Sequence, residues 1–221
     1  MSVSARKSRR PPSALLALAA ILLAVPAPAT ADLRNGLMAY RNYAYDLARE
    51  QFLESARAGE PESQYYLGEI HEGGVGREIG IDYARALDWY RRAAEQGHAR
   101  AQRRLAKLYS DGRGTQADPH RAFQWLRRAA DNGDVVAQYR LGRRYAHGLG
   151  TDPDPVAAYK WLTIAAQYGE PSAPELLRAL QGALKRDQRE QAERAALAWE
   201  RRWDAGDHSD PHYLQRPGRL P

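Results

Sequence analysis

Four groups of residues have side chains or a spacing that could support chemistry, and each points to a different reaction. His71-Glu72 has the form of the first half of a zinc-protease motif, in which two histidines one helical turn apart hold the metal and the glutamate between them activates water. Val75 occupies the place of the second histidine, so the ligand pair is incomplete. Gly112-Arg113-Gly114-Thr115-Gln116-Ala117 has the spacing of a dinucleotide-binding loop, but that chemistry needs a strand before the glycines and a helical pattern comes first here. Asp207, His208, Asp210 and His212 make a denser ligand set suited to weak divalent-cation binding. Such residues are common in tails without serving any purpose, and no metal site is assigned to them. The fourth group is a recurrence of arginine: Arg91-Arg92 and Arg127-Arg128 fall in equivalent places, and Arg103-Arg104 and Arg143-Arg144 lie on other helical segments.

Charged rows of this kind are ordinarily solvated helix faces. Their functional reading is a groove that grips an acidic or extended peptide through Arg91, Arg103, Arg127 and Arg143, with Tyr65 and Tyr139 as aromatic anchors. No Gly-x-Ser-x-Gly, cysteine nucleophile or phosphate loop is present beyond residue 31, and the carboxylate pairs sit on periodic helices where arginines neutralise them. The chain therefore reads as a non-enzyme with no catalytic residue, no cofactor and no metal.

The elements that must position these residues begin after an expected export signal over residues 1–31. Arg6, Lys7, Arg9 and Arg10 form a cationic start, Ala14 to Val25 is an unbroken apolar run, and Ala29-Thr30-Ala31 supplies a small-residue cleavage site before Asp32. The apolar run is shorter than the roughly 20 residues a membrane span needs, and Pro26 and Pro28 follow it, so no stable membrane insertion is expected after cleavage. Ser8-Arg9-Arg10 hints at a twin-arginine route, but Pro11 and Pro12 favour the general secretory one. Removing the segment leaves 29 basic against 27 acidic residues, a net charge of +2 that gives no reason to expect a nucleic-acid partner. The absence of cysteine rules out disulfides in the periplasm or outside the cell, where the mature chain belongs on this reading.

Internal repetition sets the architecture. Trp89, Trp125 and Trp161 are 36 residues apart, each followed by paired alanines (Ala93-Ala94, Ala129-Ala130, Ala165-Ala166) and then by Gly97, Gly133 or Gly169. Gln64 to Gly68, Gln102 to Ala106 and Gln138 to Gly142 align with one another, bringing Leu67, Leu105 and Leu141 into register. The first of these intervals is 38, its two extra residues falling in a loop between Gly76 and Asp82. A fixed period of this size marks stacked supersecondary units. Within each unit, Asp82, Asp118 and Asp154 stand at helix N-caps, and Pro119 and Pro155 follow at the first helical position. The glycines suit left-handed helix ends, the alanines let the next helix come close, and the tryptophan is expected to fill the wider part of the gap.

The pattern Ala-Gln-x-x-Leu-Gly-x-x-Tyr-x-x-Gly-x-Gly, followed by an aspartate-led helix with Ala-x-x-Trp-x-x-x-Ala-Ala-x-x-Gly, resembles the Sel-1-like repeat family, relatives of tetratricopeptide repeats. It runs from Ala137-Gln138 to Gly150 and then from Asp154 to Gly169. His71 departs from the tyrosine, Ser63 from the alanine and Ala106 from the glycine. The resemblance implies an all-α, right-handed solenoid of stacked antiparallel helix pairs. Three repeats are expected at about 62–97, 98–133 and 134–169, a worn capping repeat at 32–61, capping helices at 170–203 and a flexible tail at 204–221. It further implies a monomeric adaptor or regulator with a protein partner in the cell envelope, bound on the concave face. A cell-wall or β-lactam-related enzyme or binder is an alternative, although secreted members of that kind are rich in paired cysteines and this chain has none. A binder of acidic polysaccharide is a third possibility.

Overall fold

The computed structural model describes residues 29–76 and 80–206. The segment read as an export signal and the tail residues 207–221, with their aspartates and histidines, lie outside the described residues, apart from the helical start at Ala29. Among the described residues there are ten helices and no strand. These are α1 (Ala29–Arg41), α2 (Tyr45–Arg57), α3 (Pro61–Gly73), α4 (Tyr83–Glu95), α5 (Ala99–Asp111), α6 (Pro119–Asp131), α7 (Val135–His147), α8 (Pro155–Gln167), α9 (Ala173–Ala183) and α10 (Arg186–Asp204). Each helix from α1 to α9 packs on its neighbours in chain order, most extensively within the pairs α1/α2, α3/α4, α5/α6 and α7/α8. The result is an all-α solenoid of helix pairs.

Helix starts are set by side-chain caps. Asp82 accepts a hydrogen bond from the Arg85 amide at 2.9 Å, Asp118 from that of Arg121 at 2.9 Å, and Asp154 from those of Val156 and Ala157 at 3.0 and 2.9 Å. Helices α3, α5 and α7 are capped by Glu60, His98 and Asp134. Each cap satisfies a donor that the first turn leaves without a helical acceptor.

The junction between one pair and the next is closed by a buried glutamine. Gln64, Gln102 and Gln138 donate from Nε2 to the carbonyls of Ala56, Ala94 and Ala130 at 3.1, 2.9 and 3.2 Å. Those carbonyls lie at the end of the preceding helix, where each also accepts the amide of the following glycine, Gly59, Gly97 or Gly133, at 3.1 Å, so the glutamine supplies a second donor. The glutamine carbonyl is met in turn by Gln96 on Gln64 at 2.8 Å and by Asn132 on Gln102 at 3.0 Å. Tyr168 stands at the third such position and has no amide, and Gln138 Oε1 is buried without a partner.

Around these latches Leu67, Leu105 and Leu141 are completely buried, as are Ala94 and Ala130, whereas Ala166 is half-buried near the end of the stack. Gly97, Gly133 and Gly169 take φ of 92°, 84° and 86° just past the helix ends. The tryptophans meet the expectation that they fill the gap only in part: Trp125 packs against the core on both sides of it and Trp89 against the N-terminal core cluster, but neither is fully enclosed. Trp89 and Trp125 are only half-buried, and the residues that follow them, Tyr90 and Leu126, occupy the interior. Trp161 is buried because α10 turns back onto α8 instead of pairing with α9, setting Trp199 edge-on at 6.0 Å and stacking Trp203 behind it.

Spacing along the stack depends on backbone contact. A Cβ on Gly150 (φ +78°) would lie 2.2 Å from the Pro119 carbonyl oxygen, and one on Gly114 (φ +72°) 2.3 Å from that of Tyr83. The loop after the first helix of one repeat thus sits on the opening turn of the second helix of the repeat before. The glycine motif at Gly112–Ala117 is explained by this contact and by the left-handed cap at Gly112.

Gly150→Ala is expected to lower stability by about 2–4 kcal/mol, from left-handed strain plus the backbone clash, read as a shifted denaturation midpoint at constant m-value. Gly182→Ala, in α9 with open space around it, should instead raise stability by about 0.5–1 kcal/mol. Equal effects of the two would refute the packing role. Gln102→Leu should cost about 1–2 kcal/mol, since two partners lose a bond, whereas Gln138→Leu should cost clearly less because its carbonyl already has none.

Candidate interaction surface

The first helices of the repeats, α3, α5 and α7, carry most of the ionic side chains that reach from one repeat to the next. Between α3 and α5 those charges are matched. Glu62 is held by His98 Nε2 at 2.8 Å and by Arg100, while His98 Nδ1 accepts the Ala101 amide, which leaves Nε2 to carry the proton. Arg100 also lies over the Tyr65 ring, 4.6 Å from its centroid. Arg104 donates to Glu69 at 2.8 Å and approaches Glu72 at 3.7 Å, and the same carboxylates accept the hydroxyls of Tyr65 and Tyr90 at 2.7 and 2.8 Å. Burial opposes the charge of Arg104, but the surrounding acidic oxygens outweigh it and hold its ionisation above the ordinary guanidinium range. Burial and Glu69 likewise push the Tyr65 phenol up.

Between α5 and α7 the matching fails. Arg103 donates through Nε to both oxygens of Asp134, at 2.9 and 2.8 Å, and Lys107 pairs with Asp111 at 2.5 Å. Arg144 bonds the Leu149 carbonyl and the Ser110 hydroxyl, both at 3.0 Å, with no carboxylate in reach. Arg140 has no hydrogen-bond or ion-pair partner among the described residues, and Arg143 only rests over Tyr139 at 5.9 Å. Burial and the nearby guanidinium of Arg103 push the ionisation of Arg140 below its usual range, against the pull of Asp134. These cations line a cavity of about 290 Å³ floored by Ala106 and Leu126, with Leu149 at its edge.

Of the residues expected to meet a partner, Arg103 and Arg143 share this cavity. Tyr139 lies beside it, half-buried against the α8–α9 core. The others do not join them. Arg91 and Arg127 are on α4 and α6; Arg91 pairs with Asp88, and neither lines the cavity. Tyr65 is buried, 4% exposed, with its hydroxyl committed to Glu69, so its role as an aromatic anchor is corrected to a core one. His71 is buried as well, its Nδ1 without a partner, and burial and then Arg85 shift it toward the neutral form. Among the described residues no group of three or more His, Cys, Asp or Glu side chains is placed to hold a metal ion, and no helix is long and apolar enough to cross a membrane.

The family model described as Sel1 repeat matches residues 61–98, 99–134 and 135–169. The chain carries three Sel1 repeats. A Sel1 repeat protein from Oxalobacter formigenes is similar in structure, with 32% sequence identity and a TM-score of 0.62 over 68% of this chain and 63% of that one. The fold is shared at 22% identity and a TM-score of 0.55 with c5321, a protective antigen of uropathogenic Escherichia coli strains displaying an SLR fold; 87% of this chain and 50% of that one are covered. The chain thus spans less than two thirds of the length of either. No curated protein sequence matches.

Arg140 was not singled out from the sequence, and Arg144 was noted only as the neighbour of Arg143; the repeat register could have found both, since Arg140 aligns with Arg104 and Arg144 lies one helical turn further on the same face. Arg104→Gln should destabilise the fold by about 1–3 kcal/mol by leaving two half-buried carboxylates against phenols, whereas Arg140→Gln should be neutral or stabilising. Thermal melts of the two variants check the opposite signs.

Proposed function

We propose that this chain is an exported protein-interaction scaffold that works as a monomer in the cell envelope and holds a protein partner against the first-helix side of its repeats, the concave side of such a solenoid. Sel1 repeats generally mediate contacts between proteins. The observation that carries the reading is the asymmetry of this side: its arginines are neutralised internally between α3 and α5 and left in excess between α5 and α7. An unmatched, partly desolvated charge cluster weakens a fold unless something outside the chain compensates it. The reading assigns no catalytic role to any residue.

Export is supported by the cationic start, the apolar run and the small-residue site before Asp32. Cleavage after Ala31 trims only the first three residues of α1. Expressed with its full N-terminus in a bacterium that has an outer membrane, the chain should be recovered from the periplasm beginning at Asp32, as read by intact mass. Deleting residues 14–25 should hold the uncleaved chain in the cytoplasm. An unprocessed chain in both cases would exclude the export part of the proposal. Affinity capture from the envelope fraction addresses the partner, and the absence of any reproducible protein there would count against a scaffold.

A further inference from the structure

The repeat register puts two versions of one interface side by side. Arg104 and Arg140 are equivalent residues, on α5 and α7, and each faces the first helix of the repeat before it. Arg104 meets Glu69 and Glu72 there. Moving on by the same 38 residues that relate Gln64 to Gln102, the places of Glu69 and Glu72 are taken by Lys107 and Ser110. Arg140 therefore faces the position of a carboxylate pair and finds a cation and a hydroxyl. Arg143 and Arg144 add two further guanidiniums, and Asp111 and Asp134 are already taken by Lys107 and Arg103.

We infer that the cavity between α5 and α7 binds a short acidic peptide segment of the partner, whose glutamate or aspartate carboxylates take the place of the missing Glu69 and Glu72 equivalents on Arg140, Arg143 and Arg144. The inference rests on the scaffold reading and gives its partner a chemistry. Planar guanidiniums bind carboxylates through paired, charge-assisted hydrogen bonds, and the Ser110 hydroxyl supplies one more donor. The floor of Ala106 and Leu126, with Leu149 half-exposed at the edge, accepts an apolar side chain between the acidic ones. Ala106 stands where the other two repeats have glycines pressed against Tyr90 and Leu162. A long polyanion such as an acidic polysaccharide is a poorer match, because along the first helices the adjoining Arg100 and Arg104 are neutralised by the chain's own carboxylates and do not extend the basic surface.

The test uses the full chain lacking residues 1–31 and three fluorescently labelled probes: a short capped peptide alternating glutamate and leucine, its glutamine counterpart, and a heparin-derived oligosaccharide. The glutamate peptide should bind, lose affinity as salt is added, and bind about tenfold more tightly than the glutamine peptide. Arg140→Gln and Arg143→Gln should each weaken it about tenfold. The paired change Lys107→Glu with Ser110→Glu rebuilds the first junction at the second. It should abolish peptide binding while raising the melting temperature by about 2–4 °C, so loss of binding cannot be attributed to misfolding. Tighter binding of the oligosaccharide than of the glutamate peptide, no preference for glutamate over glutamine, or full binding by the paired variant would each overturn the inference. If the paired variant still captures the same envelope protein as the parent chain, the scaffold reading stands and the cavity is not where that protein docks.

Discussion

Stacking helix pairs end to start creates one problem that the whole molecule is organised around: every helix finishes with carbonyls that have no helical donor, and here those ends are buried against the next pair. The glutamine that opens each following helix resolves it by reaching back to the carbonyl of the second small residue, at Ala56, Ala94 and Ala130. Small side chains at these ends let the amide in, and the glycine that follows reverses the chain within hydrogen-bonding distance. Small residues, glycine and glutamine thus act together at each joint, the glycine amide and the glutamine side chain both donating to the same carbonyl.

Because this device holds the repeats together, the outward positions of the first helices are free to differ. Glu69 and Glu72 become Lys107 and Ser110 one repeat later, and then Arg143 and Ala146, with Leu67, Leu105 and Leu141 unmoved beneath them. The charge on this side consequently runs from balanced to strongly positive along the stack, although the net charge beyond residue 31 is only +2. Bulk composition averages this gradient away.

Much of the architecture was legible because its signals are local. The capping aspartates, the prolines after them and the glycines at the ends report on neighbours a few residues away, and they locate helices correctly. The role of the tryptophans was not legible, since whether Trp161 is covered depends on α10, whose return onto α8 no period announces. Partner residues were harder still. Arg91 and Arg103 look alike as members of arginine pairs, yet they sit on different helices of different pairs. Tyr65 is closed off by Arg100 and Glu69, which only the folded register brings to it. Comparing equivalent positions across repeats, instead of adjacent ones, separates matched from unmatched charge.

The contact of Gly114 and Gly150 with the first turn of the preceding repeat has a further implication for how such an array can change. Main chain rests on main chain there, so the pitch of the superhelix is metered by atoms that every substitution outside the loop leaves in place. Side chains on the outward side of the first helices differ from repeat to repeat, as Glu69, Lys107 and Arg143 do, without entering these backbone contacts. The scaffold is in this sense a ruler whose graduations are fixed in the backbone while its markings can be rewritten.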